Sequence, residues 1–174
     1  TGRGEFVDVS LLDSQLATLA NQASNYLVSG NSPGLSGNGH PNIVPYQVFE
    51  TSDEPIVIAV GNDSQFAALG KLIGRDDLSS DCRFSSNSER VKNRAVLVSI
   101  IAAEIEKNTA SYWLDALEKV GVPTGPVNSI ADAFNDKHVK QRDIVLQLER
   151  EDLGMVPSVR SPVRFKNNIP GVGS

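Results

Sequence analysis

The sequence predicts an α+β fold in which helices pack on small antiparallel sheets. Two β-branched runs flank a turn within residues 43–60, apolar positions recur at helical spacing from residue 63 to 120, and residues 144–163 hold a second pair of strand-like runs. The predicted helices therefore cluster in the middle of the chain, with strands on both sides. This order favours α+β over an alternating, doubly wound α/β sheet.

The N-terminal segment predicts a strand followed by a long helix. Residues 4–9 alternate apolar and polar side chains, as a short strand does. Apolar residues then recur at helical spacing from residue 10 to 28, and Gly30 follows as a stop signal. Val9 and Leu11 widen the apolar surface beyond one stripe, so we expect this helix to pack on more than one side or against a partner.

The next element is a glycine-rich loop that leads into a predicted β-hairpin. Residues 43–49 and 55–60 are the two strand-like runs, and the cluster Ser52, Asp53 and Glu54 supplies the turn between them. A polar loop mounted on the edge of a sheet is a common way to hold a binding residue. We therefore take the loop and the hairpin as the centre of the chain.

Capping residues predict the helices that follow. The cluster at residues 61–64 offers capping side chains to a helix of about ten residues that Gly74 closes, and residues 75–86 are expected to be a loop with one turn of helix. Ser86 and Glu89 have capping-box spacing ahead of one long helix. Its predicted core residues are Val91, Val96, Ile100, Ile101 and Ile105, while Arg90, Lys92 and Arg94 are assigned to its solvated face.

The remaining elements are shorter. Thr109 caps a helix that carries Trp113 and ends at Gly121. Two prolines within residues 122–127 exclude helix there and predict an extended segment. Short helices are expected after Ser129 and Asp136, followed by strands over residues 144–148 and 156–163 around a turn at Gly154.

Composition excludes several classes of protein. The 174 residues carry a net charge of −5 and 40% hydrophobic content, which suits one soluble globular domain. No basic stripe indicates nucleic-acid binding, and no apolar run is long enough to span a membrane. The lone Cys82, with only His40 and His138 beside it in the inventory, argues against a metal cluster and fits a cytoplasmic location.

His40 is the first candidate for chemistry. An imidazole in a Gly/Asn loop can act as an acid, a base or a hydrogen-bond donor, and Asn38 and the neighbouring glycine amides can bind a carbonyl oxygen. A histidine that only caps the start of the hairpin explains the sequence equally well. Cys82 and Asp13 are weaker candidates, because a surface thiol and an acid in a first helical turn are ordinary features.

Five segments, in this order, resemble the family III CoA-transferases, a family that includes formyl-CoA and carnitine CoA-transferases and α-methylacyl-CoA racemases. They read TGRGEFVDVSLLDSQLATLANQASNYL, GNGHPNIVPYQVF, IVIAVGNDSQF, GVPTGPVNSIADAFND and SPVRF. The resemblance covers essentially the whole chain, and GVPTGPVNS is its most specific part. It implies acyl-CoA and carboxylate substrates, coenzyme A as part of a substrate, and no tightly bound cofactor.

The resemblance also implies a parent chain about twice this length, with a large and a small domain. We expect residues 1–30 to be a strand and helix connecting from the large domain, residues 31–150 to be the small domain, and residues 151–174 to return to the large domain. The family's nucleophilic aspartate would lie upstream, so no catalytic residue is assigned here, and Asp8 and Asp13 do not match it. The parent is expected to form an interlocked homodimer.

What the resemblance carries over is one substrate-proximal loop. Gly37, Asn38, Gly39 and His40 fall where formyl-CoA transferases have a glycine-rich loop that closes over the active-site aspartate. Here the glycines are separated and a histidine follows them. The segment HPNIVPYQ more closely resembles members that use succinyl-CoA or another dicarboxylyl-CoA. Two alternatives remain open: a racemase of the same family, and a non-catalytic interaction domain.

Overall fold

A computed structural model describes residues 2–162 and confirms the predicted α+β class. The helices are α1 (Leu11–Ala17), α2 (Asn21–Ser29), α3 (Asp63–Leu72), α4 (Asn87–Lys92), α5 (Arg94–Ile105), α6 (Ala110–Lys119), α7 (Ile130–Asn135) and α8 (Lys137–Gln141), with a 3₁₀ turn at Asp76–Ser79. The strands are β1 (Tyr46–Phe49), β2 (Ile56–Ala59), β3 (Thr124–Pro126), β4 (Val145–Arg150) and β5 (Gly154–Val159).

The central sheet contains the predicted hairpin. Strands β1 and β2 pair antiparallel with Tyr46 opposite Ala59 and Phe49 opposite Ile56. The extended segment predicted from the two prolines adds β3 to the other edge of β2, also antiparallel. Pro126 lies on this edge strand, where its missing N–H breaks no ladder hydrogen bond. The sheet order is thus β1-β2-β3.

One apolar core joins this sheet to the central helices. It combines residues of the hairpin with α3, α5 and α6, and its members are Val44, Phe49, Ile56, Ile58, Val60, Phe66, Leu69, Ile73, Leu78, Phe84, Leu97, Ile101, Ile105, Trp113, Leu117 and Val122. Trp113 satisfies its indole N–H by donating to the Ile105 carbonyl at 2.6 Å. Two core members, Leu78 and Phe84, come from the polar segment predicted as a loop with one helical turn.

The predicted long helix after Ser86 is wrong in one respect, because it is two helices. Ser86 caps α4 as predicted, but Asn93 leaves helical geometry (φ −103°, ψ 21°) and α5 begins again at Arg94. The break changes which side chains face the core. Leu97 is buried, whereas Val96 is 46% exposed and is not the core residue predicted. Ile101 and Ile105 are buried as expected.

The N-terminal predictions are also wrong in two respects. Residues 4–9 form no strand, and none of the described strands pairs with them. The single helix predicted from residue 10 is α1 and α2, separated at Ala20, whose φ of 48° cannot continue a helix. The apolar side chains of this segment face solvent, and Phe6 is 90% exposed.

The second sheet is the hairpin of β4 and β5, which confirms the second predicted strand pair. Leu148 opposes Val156, and the turn closes where Arg150 opposes Gly154 at a φ of 70°. Val163, the predicted end of the second strand, lies outside the described residues. The division at residues 30 and 150 into connectors and a small domain stays a prediction.

Candidate functional site

The loop before β1 places its four predicted residues in two different environments. Gly37 has a φ of 59°, in the left-handed region that favours glycine, and a side chain there would meet no atom within 4 Å. Asn38 instead turns inward, and its Oδ1 accepts the Val48 N–H of β1 at 3.1 Å. Gly39 donates its N–H to the Ser36 carbonyl at 3.1 Å. The loop is open at Gly37 and fixed to the sheet from Asn38 onward.

His40 is held by both its backbone and its ring. Its N–H donates to the Tyr46 carbonyl at 2.9 Å, and its ring stacks on the Tyr46 ring with centroids 5.2 Å apart. Nδ1 accepts the Asn42 N–H at 3.1 Å, so a neutral ring carries its proton on Nε2. Nε2 lies 3.5 Å from Asn21 Nδ2 of α2, and because that amide nitrogen is itself a donor, it does not accept the Nε2 proton. The imidazole therefore presents one N–H in a fixed direction, at the surface between the loop and α2.

The segment after His40 is tied to three helices. Arg94 Nη2, at the start of α5, donates to the carbonyls of His40 (2.7 Å) and Pro41 (3.0 Å). Asn87 of α4 donates to the Asn42 carbonyl and accepts the Val44 N–H. The side-chain amides of Asn42 and Asn25 of α2 pair reciprocally at 3.0 and 3.3 Å. The Val44–Pro45 peptide bond that leads into β1 is cis.

Two arginines predicted to lie on a solvated helix face instead hydrogen-bond to backbone carbonyls in and near the loop. Arg90 is only 1% exposed and donates to the Val44 and Phe84 carbonyls and to Asp63. Arg94 is half-buried against the loop. Only Lys92 is exposed as predicted, where it pairs with Glu89. The helix break at Asn93 rotates Arg94 toward the loop, and the sequence alone did not reveal that break.

The weaker candidates do not join the loop. Cys82 is exposed, and the neighbouring Arg83 guanidinium, by hydrogen bonding to Asp81, holds the pKa of that carboxyl below its ordinary value of 3.8. Asp13 lies in the exposed first turn of α1. Within residues 2–162 neither side chain is hydrogen-bonded to the loop, and no three His, Cys, Asp or Glu side chains converge as a metal site requires.

An apolar groove lies beside the loop. It has a volume of about 610 Å³ and runs along the face of α1 and α2, lined by Leu16, Leu19, Gln22, Ala23, Tyr26, Leu27, Ser32 and Pro33. Its largest side chains are those predicted to form the apolar stripe of the first helix. No helix within residues 2–162 has the length and apolar character needed to cross a bilayer.

Curated proteins similar to this chain are CoA-transferases. The succinate–glutarate CoA-transferase of Agrobacterium fabrum is 42% identical over 180 residues, which cover 99% of this chain and 45% of that protein. The succinyl-CoA:glutarate CoA-transferase of Mus musculus is 37% identical over 165 residues, covering 95% of this chain and 38% of that protein. The chain thus spans about two-fifths of the length of these relatives.

A solved structure and a family model are also similar to this chain. A crystal structure of a CAIB/BAIF family protein from Brucella suis superposes with a TM-score of 0.76 and is 43% identical, covering 95% of this chain and 43% of that one. The model of CoA-transferase family III matches residues 1–172. With that match over nearly its whole length, the chain belongs to CoA-transferase family III.

Proposed function

We propose that this chain is part of an enzyme that transfers CoA between carboxylic acids, with succinyl-CoA or another dicarboxylyl-CoA as donor. The observation that carries the proposal is the 42% identity, over 99% of this chain, to a succinate–glutarate CoA-transferase. Succinate and glutarate both carry a carboxylate at each end. The segment HPNIVPYQ, which resembles members that use dicarboxylyl-CoA donors, fits the same preference.

The proposed chemistry uses an aspartate that lies outside residues 1–174. Its carboxylate attacks the thioester carbonyl of the donor, the C–S bond breaks, and the CoA thiolate leaves a mixed anhydride behind. The thiolate then attacks the aspartyl carbonyl and releases the donor acid, so that CoA is held as an enzyme thioester. The acceptor carboxylate reverses these two steps. No oxidant, reductant or water is consumed, and water at either intermediate would waste it by hydrolysis.

The loop of Gly37, Asn38, Gly39 and His40 is proposed to lie over these intermediates. The fixed His40 ring supports this role, because it offers its Nε2 proton in one direction without a rotamer search. A donor placed there can hydrogen-bond the acyl carbonyl as negative charge develops on its oxygen. The open residue Gly37 leaves room for substrate to reach the ring. The rest of this loop would exclude water from the mixed anhydride.

Assembly and location belong to the same proposal. The exposed apolar side chains of α1 and α2 support packing against the rest of the parent chain or its partner in an interlocked homodimer. Residues 1–30 and 151–174 would then be the connectors, and residues 31–150 the small domain. We place the enzyme in the cytoplasm, an expectation that rests on the single cysteine, Cys82.

The test is a transfer assay on the full-length protein with succinyl-CoA and a panel of carboxylates that includes glutarate. We expect glutaryl-CoA to form with little hydrolysis, and the 174-residue chain alone to be inactive. Exchange of the proton α to a thioester, without transfer, would instead support the racemase alternative. A folded full-length protein that does neither would support the interaction domain.

The role of the loop is tested by His40→Ala, with His138→Ala as the matched control. His138 is exposed on α8, so its removal should leave the kinetics unchanged. We expect His40→Ala to lower kcat about 100–1,000-fold, the usual range for a lost oxyanion donor, and to raise hydrolysis relative to transfer. Unchanged turnover and unchanged hydrolysis would remove His40 from the mechanism.

A further inference from the structure

The loop is divided into a free half and an anchored half. A side chain added at Gly34 or Gly37 would meet nothing within 4 Å. From Asn38 to Val44, by contrast, side chains and backbone bond to β1, α2, α4 and α5. Displacing the second half would break several hydrogen bonds together, so it is the better anchored of the two. His40 belongs to this anchored half.

Arg94 hydrogen-bonds to the backbone of His40 and Pro41. One nitrogen, Nη2, donates to the His40 and Pro41 carbonyls, which belong to the two peptide groups that flank Pro41. A guanidinium is planar and rigid, so two acceptors on one nitrogen fix the backbone at Pro41 more closely than a single hydrogen bond would. Arg94 itself is the first residue of α5, whose Leu97 is buried in the core. The core therefore determines where the His40 carbonyl lies.

Gly39 permits this contact. A Cβ at Gly39 would lie 3.3 Å from Arg94 Nη1 and 3.3 Å from the Ser36 carbonyl oxygen. Both distances are tighter than ordinary carbon contacts, so a larger residue would push the loop away from the guanidinium. Gly39, which has no side chain, thus lets the loop backbone approach Arg94 closely.

Arg94 differs in its partners from several other arginines that the structure describes. None of the ion pairs found among residues 2–162 involves Arg94, whereas Arg75, Arg83 and Arg90 each pair with an aspartate. A half-buried guanidinium that is hydrogen-bonded to carbonyls adds positive electrostatic potential at the loop. A positive potential stabilises an anionic carbonyl oxygen or carboxylate bound at the loop.

We infer that Arg94 is a positioning residue for CoA transfer, which fixes the direction of the His40 Nε2 proton by anchoring the backbone of His40 and Pro41. The inference rests on the proposed function of the loop. Arg94 acts through the His40 and Pro41 carbonyls and touches no reacting atom. Its removal should therefore affect the same step as removal of His40, and the two losses should overlap.

The experiment combines Arg94→Met, Arg94→Lys and His40→Ala in the full-length protein. We expect Arg94→Met to lower kcat for succinyl-CoA about 10–100-fold with little change in KM, and to raise hydrolysis relative to transfer. In an Arg94→Met, His40→Ala double variant, kcat should be less than about twofold below that of His40→Ala alone. The reason is that the two changes remove the same interaction. Arg94→Lys keeps a donor and the charge, and should recover part of kcat.

Amide hydrogen exchange supplies a readout that does not depend on activity. Peptides covering residues 38–44 should exchange at least about tenfold faster in Arg94→Met, while peptides from α5 and α6 keep their rates. Lys92→Met is the control, because Lys92 is an exposed cation two residues away that pairs only with Glu89 among the described residues. It should alter neither exchange nor kinetics.

The outcomes separate this inference from the proposed function. Wild-type protein that transfers no CoA contradicts the proposed function, and exchange in residues 38–44 still tests the anchoring by Arg94. Wild-type protein that transfers CoA, with fully additive losses in the double variant, contradicts the inference alone. Faster exchange throughout the chain in both Arg94→Met and Arg94→Lys also overturns it, since the role would then be general stability.

Discussion

Residues 2–35 and residues 43–126 have similar fractions of apolar residues at regular spacing, yet they have opposite surroundings. In the second region the spacing places side chains such as Leu69 in a dry core between the sheet and α3, α5 and α6. In the first region the same kind of spacing leaves Leu11, Leu27 and their neighbours facing solvent. Periodicity therefore predicts which side of a helix is apolar, but it does not tell what covers that side.

The contacts of the first region with the loop that separates the two regions sharpen the contrast. Asn21 and Asn25 of α2 reach His40 and Asn42 of the loop through polar side chains. Hydrogen bonds between exposed amides contribute only about 1 kcal/mol each. The first region is thus positioned by the loop, while its apolar surface contributes little to the stability of this chain. Variants in the two regions should differ accordingly.

The largest expected effect in the core region comes from Arg90→Met. Methionine fills a similar volume but leaves the buried carbonyls of Val44 and Phe84 without donors, and it removes the guanidinium that lies 4.4 Å from the Phe66 ring centroid. Each stranded acceptor costs roughly 1–3 kcal/mol, so we expect the free energy of unfolding to fall by about 3–5 kcal/mol. Urea denaturation of the 174-residue chain measures it.

Asp63→Asn is the control for that change. Asp63 is the carboxylate partner of Arg90, but it is 68% exposed and water replaces the interaction. The loss should be at most about 1 kcal/mol. If both variants lost the same amount, the ion pair, and not the buried carbonyls, would account for the role of Arg90.

A matched pair of leucines compares the two regions directly. Leu69 is 0% exposed in the core and Leu27 is 79% exposed on α2. We expect Leu69→Ala to lower the free energy of unfolding by about 3 kcal/mol, the usual cost of a cavity, and Leu27→Ala to change it by less than about 0.5 kcal/mol. A cost above 1 kcal/mol for Leu27 would show that the first region is packed in solution.

The sequence was informative where local signals decide the structure. Ser86, Thr109 and Ser129 are predicted helix caps, and each accepts a backbone N–H in the way that capping residues do. Within the predicted capping cluster at residues 61–64, it is Asn62 that does so. The central hairpin followed from two β-branched runs around a turn. These signals act within a few residues, so they do not depend on the rest of the fold.

The errors arise where distant contacts decide. A single helix from residue 10 required Ala20 to remain helical, and nothing local in the sequence marks its left-handed backbone. The predicted helix through Asn93 hid the change in phase that buries Leu97 and turns Arg94 to the loop. His40 was found from its glycine-rich surroundings. The residue that holds it was missed, since Arg94 is 54 positions away in sequence.

The smallest expected effect concerns Asp53, in the turn of the central hairpin. Its Oδ1 accepts the Ala110 N–H at the start of α6 at 2.7 Å, which joins the hairpin to that helix. This hydrogen bond, with further ones from the Thr51 hydroxyl and the Glu54 N–H, holds the pKa of Asp53 below its ordinary value of 3.8. A carboxylate whose pKa is lower in the folded state stabilises the fold above the pKa of the unfolded chain.

Asp53→Asn therefore gives a pH-dependent test of the core region. The stabilisation is fully present above about pH 4–5, and it is lost as the pH falls below 3.8 through the lower pKa of the folded state. Wild type should be more stable than Asp53→Asn at pH 7, and the difference should shrink toward zero as the pH falls. Urea denaturation from pH 7 to pH 3 measures it. A difference that stays constant with pH would mean that geometry, and not charge, gives Asp53 its value, because the asparagine amide can accept the same hydrogen bond without ionising.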